Sequence, residues 1–447
     1  MRYMMKKIGF LFIIGILFRL ANAQEKVWNL EDCIRYAVDH NPQRAKQEAM
    51  NKIYRQDQRE ALGGFLPTLN ASTDAYMNFG RGIDPVTNTY ISTNTFYNDY
   101  GANTSMNIFD GLSQIYRAKM ARVNRLKGEN NLRDTKDQLA LQTMEVYFNV
   151  LYYKGTIEIA KQQLEESEAN LKKTQRMEEL GLKSVPDLTE IIAKEAEDRL
   201  ALTKQMNLFE TEMIKLKTKM NYPVTADFSV ADYDSISLIG KTNESALTIY
   251  QNAIAVLPRL QASANTVKAA EMQYKVARGS LFPRLSLVAG MSTNFSRMMD
   301  NSSYEPFSEQ FKNRRGTYVG FVLNIPIFSG FSRSAEMKRS KQRLIMAQCD
   351  NEDLSRQVYS DIEQAIADVN GLADESLYAQ KRTESMVAAH RVNVRKYEEG
   401  LIDALELSTS ANRLLNSRVE ELYTRLKYQL KYKLLNYYKG ETSWIYN

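Results

Sequence analysis

The chain has 447 residues, 44% of them hydrophobic and 25% charged, with two cysteines, two histidines and a formal net charge of +6. That length accommodates two or three ordinary domains without fixing their number. Four of the cations (Arg2, Lys6, Lys7, Arg19) stand at the very start of the chain; without them the balance is +2, so charge gives no reason to expect a nucleic-acid partner.

Arg2, Lys6 and Lys7 precede an apolar run from Ile8 to Leu20, broken by Arg19, and Ala21-Asn22-Ala23 follows. This is the pattern of a secretory signal peptide over 1–23, with the mature chain starting at Gln24. Cys33 is too distant from that site to be a lipidated first residue, and no later stretch is apolar for the roughly 20 residues of a membrane helix. In an exported chain, Cys33 and Cys349 form either a disulfide or two separate thiols on helices. They do not occupy equivalent positions in the repeat described below.

A first helix is expected from about Leu30 to past Arg59, opened by Asn29 with Asp32 three residues on. Pro42 should kink it or divide it in two. Phe65-Leu66-Pro67-Thr68-Leu69 then starts a strict alternation, with Leu69, Ala71, Thr73, Ala75, Met77 and Phe79 set against Asn70, Ser72, Asp74 and Asn78. The period of two indicates a strand over about 65–80 with one apolar and one polar face. Residues 83–98 read as a polar loop. A second strand, about 97–109, alternates Tyr100, Ala102, Thr104, Met106 and Ile108 and stops at Phe109-Asp110-Gly111.

From Leu112 no strong helix breaker appears until Gly181, and roughly 68 helical residues would extend about 100 Å. A helix that long needs neighbours of similar length, as in coiled coils, and Tyr147, Leu151, Leu164 and Leu171 fit a packing stripe. The turn that follows is specific. Gly181 suits the left-handed position after a helix end, Ser184 caps the next helix, Pro186 lies in its first turn and Asp187 stands three beyond the cap. The returning helix reaches about Met220, and 221–244 link to a second half.

That half, 245–440, repeats 24–220 element by element, leaving 441–447 as a tail. Pro258 follows Pro42 at the same interval as Pro283 follows Pro67. Strands are expected over about 281–296 (Leu285, Leu287, Ala289, Met291, Thr293, Phe295) and 316–328 (Val319, Phe321, Leu323, Ile325, Ile327). Phe328-Ser329-Gly330 matches Phe109-Asp110-Gly111, and Gly400-Leu401-Ile402-Asp403-Ala404-Leu405-Glu406 matches the hairpin turn, both at one slightly longer interval. Asp403 thereby takes the cap position of Ser184, and Glu406 that of Asp187.

Each half thus supplies two strands long enough to cross a bilayer when tilted. Backbone groups in lipid must be paired, so membrane strands close into barrels, and the smallest such barrels have about eight strands. Four strands therefore require an oligomer. Phe65, Phe109, Phe282 and Phe328 at one end of the strands, and Tyr90, Phe96, Tyr97, Phe307, Phe311 and Tyr318 at the other, would form two aromatic girdles. The competing architecture is a soluble four-stranded sheet packed on helices, in which the long helices would have no role.

The two-fold repeat, the Phe-Leu-Pro and Leu-Phe-Pro strand entries, the Phe-x-Gly exits and the paired Gly-Leu turns resemble the TolC family of outer-membrane efflux proteins over essentially the whole mature chain. The resemblance implies a mainly α protein with membrane β: a homotrimer whose twelve strands form one shared barrel, continued by coiled-coil hairpins as a periplasmic tunnel. It also implies a periplasmic adaptor (membrane fusion) protein and an inner-membrane transporter as partners, and residence in the Gram-negative outer membrane. Acids at Asp187 and Glu406 would then ring the closed periplasmic entrance, six carboxylates in a trimer, repelling one another. Tyr397 matches a position that helps to latch that entrance, but Ile402 stands where the family's basic partner is expected. The plain alternative for both acids is a capping box at a positive helix end. Gly181, Leu182, Ser184, Gly400, Leu401 and Asp403 form the tips that would contact the adaptor; Leu182 and Leu401 could instead simply cover the hairpin ends.

No chemistry is signalled. His40 and His390 lack partners at metal-ligand spacing, and no nucleophile motif or phosphate-binding loop appears, so neither an enzyme nor a cofactor is expected. The function expected is a passive duct carrying small molecules out of the cell, with a duct for secreted protein as a variant within the same class. A periplasmic coiled-coil scaffold or adaptor is the alternative from another class, although adaptors usually carry one hairpin flanked by β-domains.

Overall fold

The computed structural model describes residues 27–83, 87–231, 240–299 and 304–442. The expected signal peptide, Asp84 and Pro85 of the expected loop, part of the linker and the end of the tail lie outside them. The chain forms two compact units: a sheet unit of residues 49–130 and 260–354, and a helical unit made of the remainder. Most of the chain is α-helix, and among the described residues no helix is long and apolar enough to cross a membrane.

The sheet unit contains one four-stranded antiparallel sheet in the order β2 (Thr68–Asn78), β5 (Thr95–Phe109), β7 (Arg284–Met298), β8 (Gly316–Asn324). The pairing puts Ala71 opposite Ala102, Ala102 opposite Met291 and Ala289 opposite Val319. The apolar residues of the four alternating patterns that lie in register within the strands therefore fall on one face, whereas Phe79, Ile325 and Ile327 lie beyond the strand ends. That face is open, with Leu69 at 78%, Val319 at 76% and Phe321 at 69% exposure. The other face carries Asn, Ser, Thr and Asp side chains that bond across strands, as where Ser286 Oγ donates to Asn107 Oδ1 at 2.9 Å. The sheet is open, and among the described residues the outer edges of β2 and β8 pair with no strand.

Two features depart from the expected polar loops. β3 (Arg81–Ile83), at the end of the expected strand, pairs with β4 (Tyr90–Ser92), inside the segment 83–98 expected as loop, and β5 starts two residues before the expected strand. A short helix, here called the cap helix (Phe307–Asn313), lies against the apolar face: the Phe307 and Phe311 rings meet Tyr100, and Thr293 Oγ1 donates to the Phe311 carbonyl at 2.9 Å. Beyond Ser292, β7 has no β8 residue beside it. Buried Gln310 fills that gap, accepting from Ser296 N at 2.9 Å and donating to Ser296 O at 3.1 Å. An amide side chain thus stands in for a neighbouring strand.

In chain order the helices are α1 (Leu30–His40), α2 (Pro42–Gly63), α3 (Ser113–Glu179), α4 (Val185–Met220), α5 (Ala246–Val256), α6 (Pro258–Gly279), α7 (the cap helix), α8 (Ser332–Glu398) and α9 (Ala404–Lys439). Prolines 42 and 258 divide each first helix in two: each starts a new helix, where its missing N–H is not needed. At the strand-to-helix corners Gly111 (φ 68) and Gly330 (φ 57) are followed by Leu112 (φ 67) and Phe331 (φ 64), so the duplicated corner holds two successive left-handed residues. A side chain at the second of these costs roughly 1–2 kcal/mol of backbone strain.

The helical unit buries Tyr147, Leu151 and Leu164 of the expected stripe on α3, together with Leu139, Leu216, Ile362 and Leu435. Two short parallel strands, β1 (Val27–Trp28) and β6 (Ser229–Val230), close it, with Trp28 edge-on to Tyr36 and Tyr222. No disulfide joins the cysteines; Cys33 is buried on α1 and Cys349 exposed on α8.

Candidate functional site: the hairpin tips

The hairpins α3–α4 and α8–α9 end in turns built the same way. Gly181 (φ 72) donates to Glu178 O and Leu182 N to Met177 O; Gly400 (φ 75) donates to Tyr397 O and Leu401 N to Lys396 O. These paired bonds satisfy the last carbonyls of each outgoing helix, and the left-handed glycine permits them. Leu182 and Leu401 follow at the outermost positions, 65% and 68% exposed.

The returning helices differ. Ser184 caps α4 in a closed capping box: Asp187 N donates to Ser184 Oγ at 3.3 Å, while Asp187 Oδ2 accepts from Ser184 Oγ at 2.6 Å and Ser184 N at 3.3 Å. Asp187 Oδ1 also accepts from Ala404 N at 3.4 Å, so one carboxylate serves the starts of both α4 and α9. The Ser184 hydroxyl holds the Asp187 pKa below the usual carboxylate range, with the Ser184 and Ala404 N–H groups and nearby Lys183 acting the same way against partial burial. Asp403 caps α9 by accepting from Glu406 N at 2.8 Å. Among the described residues, the exposed Glu406 carboxylate has no hydrogen-bond or ion-pair partner.

Tyr397 is 3% exposed and packs with Ile191, Ala404 and Leu407, against which Leu171, Val394 and Ile402 also pack. Its hydroxyl lies 3.1 Å from Thr174 Oγ1, and burial pushes its pKa up. Ile402 is therefore part of an apolar cluster. The cation near Tyr397 comes instead from the other hairpin, where Lys183 Nζ sits 3.9 Å from the ring centroid. Lys183 holds the position in the first turn that Ile402 holds in the second. A comparison of the two turns residue by residue would have found it. Together Gly181, Leu182, Lys183, Asp187, Gly400 and Leu401 help line a cleft of about 610 Å³ between the tips.

Further along the hairpins, buried polar groups tie the helices together. Lys194 Nζ bonds Asp198 and Asn412, each at 2.6 Å, and His390 lies 2.5 Å from Glu166 Oε1 and 2.9 Å from Ser410 Oγ. Among the described residues no group of three or more His, Cys, Asp or Glu side chains is arranged to hold a metal ion. The tips offer hydrogen-bonding groups, exposed leucines and an unpaired carboxylate, which suit recognition and ion attraction.

Residues 249–438, within the second repeat, match the family described as outer membrane efflux protein. Over 443 residues the chain is 22% identical to the alkaline protease secretion protein AprF of Pseudomonas aeruginosa, covering 96% of this chain and 88% of that one. It is 20% identical over 442 residues to the outer membrane protein TolC of Vibrio cholerae, covering 95% and 94%. Its fold matches the CmeC outer membrane channel of Campylobacter jejuni with a TM-score of 0.80 at 14% identity, over 92% of this chain and 85% of that one. With the duplicated strand–hairpin architecture, these similarities show that the chain resembles outer-membrane efflux proteins over nearly its whole length.

Proposed function

We propose that three copies of this chain join their sheets into one twelve-stranded barrel, and that the assembly is the outer-membrane channel of a tripartite export system. The observation that carries this reading is the open sheet: one apolar face, one polar face and two long unpaired edges. In lipid, such edges must be paired, and closure with other copies of the same sheet pairs them all. The polar face then lines an aqueous lumen. The channel performs no chemistry and conducts passively from the periplasm, or from an inner-membrane transporter, to the outside.

The hairpin tips are the periplasmic entrance in this reading. Leu182 and Leu401 present apolar surface to a periplasmic adaptor, while Glu406 and Asp187 from each copy narrow the entrance and Tyr397 holds the two hairpins of one copy together. Replacing both leucines by Asp should abolish export and leave the oligomeric mass unchanged. Undiminished export by that variant would remove the tips as the adaptor site. Small molecules are the cargo in the principal reading; the description of AprF as a secretion protein supports secreted protein as the second.

A further inference from the structure

A helix with a polar outer surface is out of place on a face that meets hydrocarbon. The cap helix nonetheless lies on the apolar face of the sheet, packing Phe307 and Phe311 on Tyr100 and leaving Ser308, Glu309, Lys312 and Asn313 exposed. Such a surface on the lipid side is tolerated at headgroup depth, where aromatic and basic residues gather, and not among acyl chains. The cap helix therefore sets the level of the headgroups. It joins the ends of β7 and β8 remote from α6 and α8, which in the proposed duct are the outer ends. The lipid beside it belongs to the outer leaflet.

Next to the cap helix the sheet surface is hollow. Ala71, Ala102 and Met291 stand side by side in one cross-strand row, and Thr73, Tyr100 and Thr293 in the next. The alanines and threonines floor a groove of about 340 Å³, walled by Tyr100, Met291 and Phe311. A groove of that volume holds roughly ten methylene-sized groups at about 30 Å³ each. Alanine is an uncommon strand residue, and a larger side chain at Ala71 or Ala102 would fill the trough. Contact with fluid lipid alone requires no such hollow.

Charge is ordered along the same face. Beyond Met291 the outward positions of β7 are Thr293, Phe295 and Arg297, and the Arg297 guanidinium sits 4.6 Å from the centroid of the Tyr304 ring. Phe295 meets both Tyr304 and Phe307, so a layer of rings separates the groove from that cation. Exposed Lys312 and Arg315 follow Phe311 closely in the chain. Arg314 turns to the opposite face, donating to Ser296 Oγ at 2.7 Å. The acids of 304–316, Glu305 and Glu309, stand at the opening of the cap helix, and Glu305 accepts from Asn313 Nδ2 at 2.8 Å. We propose that the groove holds one acyl chain of an anionic outer-leaflet glycolipid whose phosphates are bound by Arg297, Lys312 and Arg315. This rests on the outer-membrane duct above and adds to it a ligand and a site. Apolar groove, ring layer and cations follow one another as acyl chain, backbone and phosphate do in such a lipid. Three cations match a headgroup with more than one phosphate, which guanidinium groups bind bidentately, whereas a phospholipid with a single phosphate leaves part of the set unmatched. A second copy of this face would set like charges against one another and leave them unpaired.

The site is tested by native mass spectrometry of the detergent-extracted full-chain oligomer, titrated with a bisphosphorylated, multiply acylated diglucosamine lipid and, separately, with phosphatidylglycerol. The parent should bind one glycolipid per chain and prefer it to phosphatidylglycerol by about tenfold. Arg297→Gln, Lys312→Gln and Arg315→Gln together should abolish that preference. Ala102→Phe, which fills the groove, should weaken binding of both lipids by about tenfold. Because Ala102→Phe could disturb the sheet, Ala71→Leu is measured beside it, and each variant is compared at the parent's native mass. Equal binding of the two lipids by the parent, or an unchanged preference in the triple variant, overturns the headgroup assignment. Parent-like binding by Ala71→Leu and Ala102→Phe overturns the groove. Pairing of oligomers through this face in place of lipid overturns both. An oligomer that conducts but binds neither lipid removes the site and leaves the duct standing, whereas a monomer without conductance removes the duct as well.

Discussion

At the first turn of α4 the Asp187 carboxylate accepts bonds from its own cap and from the start of α9, while Glu406, at the equivalent place, points into solvent. The two acids therefore have different consequences when removed. Asp187→Asn should destabilise the tip by about 1 kcal/mol, the usual net value of a hydrogen bond lost there. Because the native pKa of Asp187 is depressed, this stabilisation is complete above the ordinary aspartate pKa and is lost as pH falls through the lower native value. Melting curves of parent and variant should accordingly differ at neutral pH and converge once the pH falls below the depressed native value. A gap that persists in acid would contradict the assignment of the shift to the ionised carboxylate. Glu406→Gln, by contrast, should leave stability within about 0.5 kcal/mol, because it removes an exposed, unpaired charge. The acid positions, caps and glycines of the tip were legible because each follows a local turn rule. The Asp187–Ala404 bond and the Lys183 contact with Tyr397 were not, since they join hairpins that belong to different repeats and lie far apart in sequence.

At the scale of elements, strict alternation marked each strand because one face must be apolar and the other wet. The division at Pro42 followed from the missing N–H. What the pattern missed were pieces whose stabilisation is tertiary. The β3–β4 hairpin has three residues on each side, too few to alternate visibly, and sits among Thr and Asn. The cap helix is a seven-residue segment whose stability comes from Phe307 and Phe311 on Tyr100 and from Gln310 on β7, none of it visible as a helical period. Gln310→Ala would leave the Ser296 N–H and C=O without that partner, at about 1–3 kcal/mol for each group left unpaired. Amide exchange at Ser296 should speed up accordingly, with the central β5–β7 pairs unaffected. Unchanged protection at Ser296 would show that the side-chain amide is not the edge's partner. The long helices were legible in extent because no breaker interrupts them, whereas their buried polar ties, Lys194 to Asn412 and His390 to Glu166, depend on which helices become neighbours.

For the whole molecule, the duplication is the organising fact: two repeats supply four strands and two hairpins, and an open amphipathic sheet that, in the proposed duct, closes with copies of itself. The repeat was visible in the sequence through paired prolines, glycines and strand patterns, whereas the proposed closure would be a property of the assembly. The most direct measurement is single-channel conductance of the detergent-extracted oligomer in a planar bilayer, with its native mass determined alongside. The account predicts a trimer with discrete, cation-preferring steps, and a weakened cation preference after Glu406→Gln. A monomer without conductance would contradict the duct and leave a periplasmic scaffold as the architecture's role.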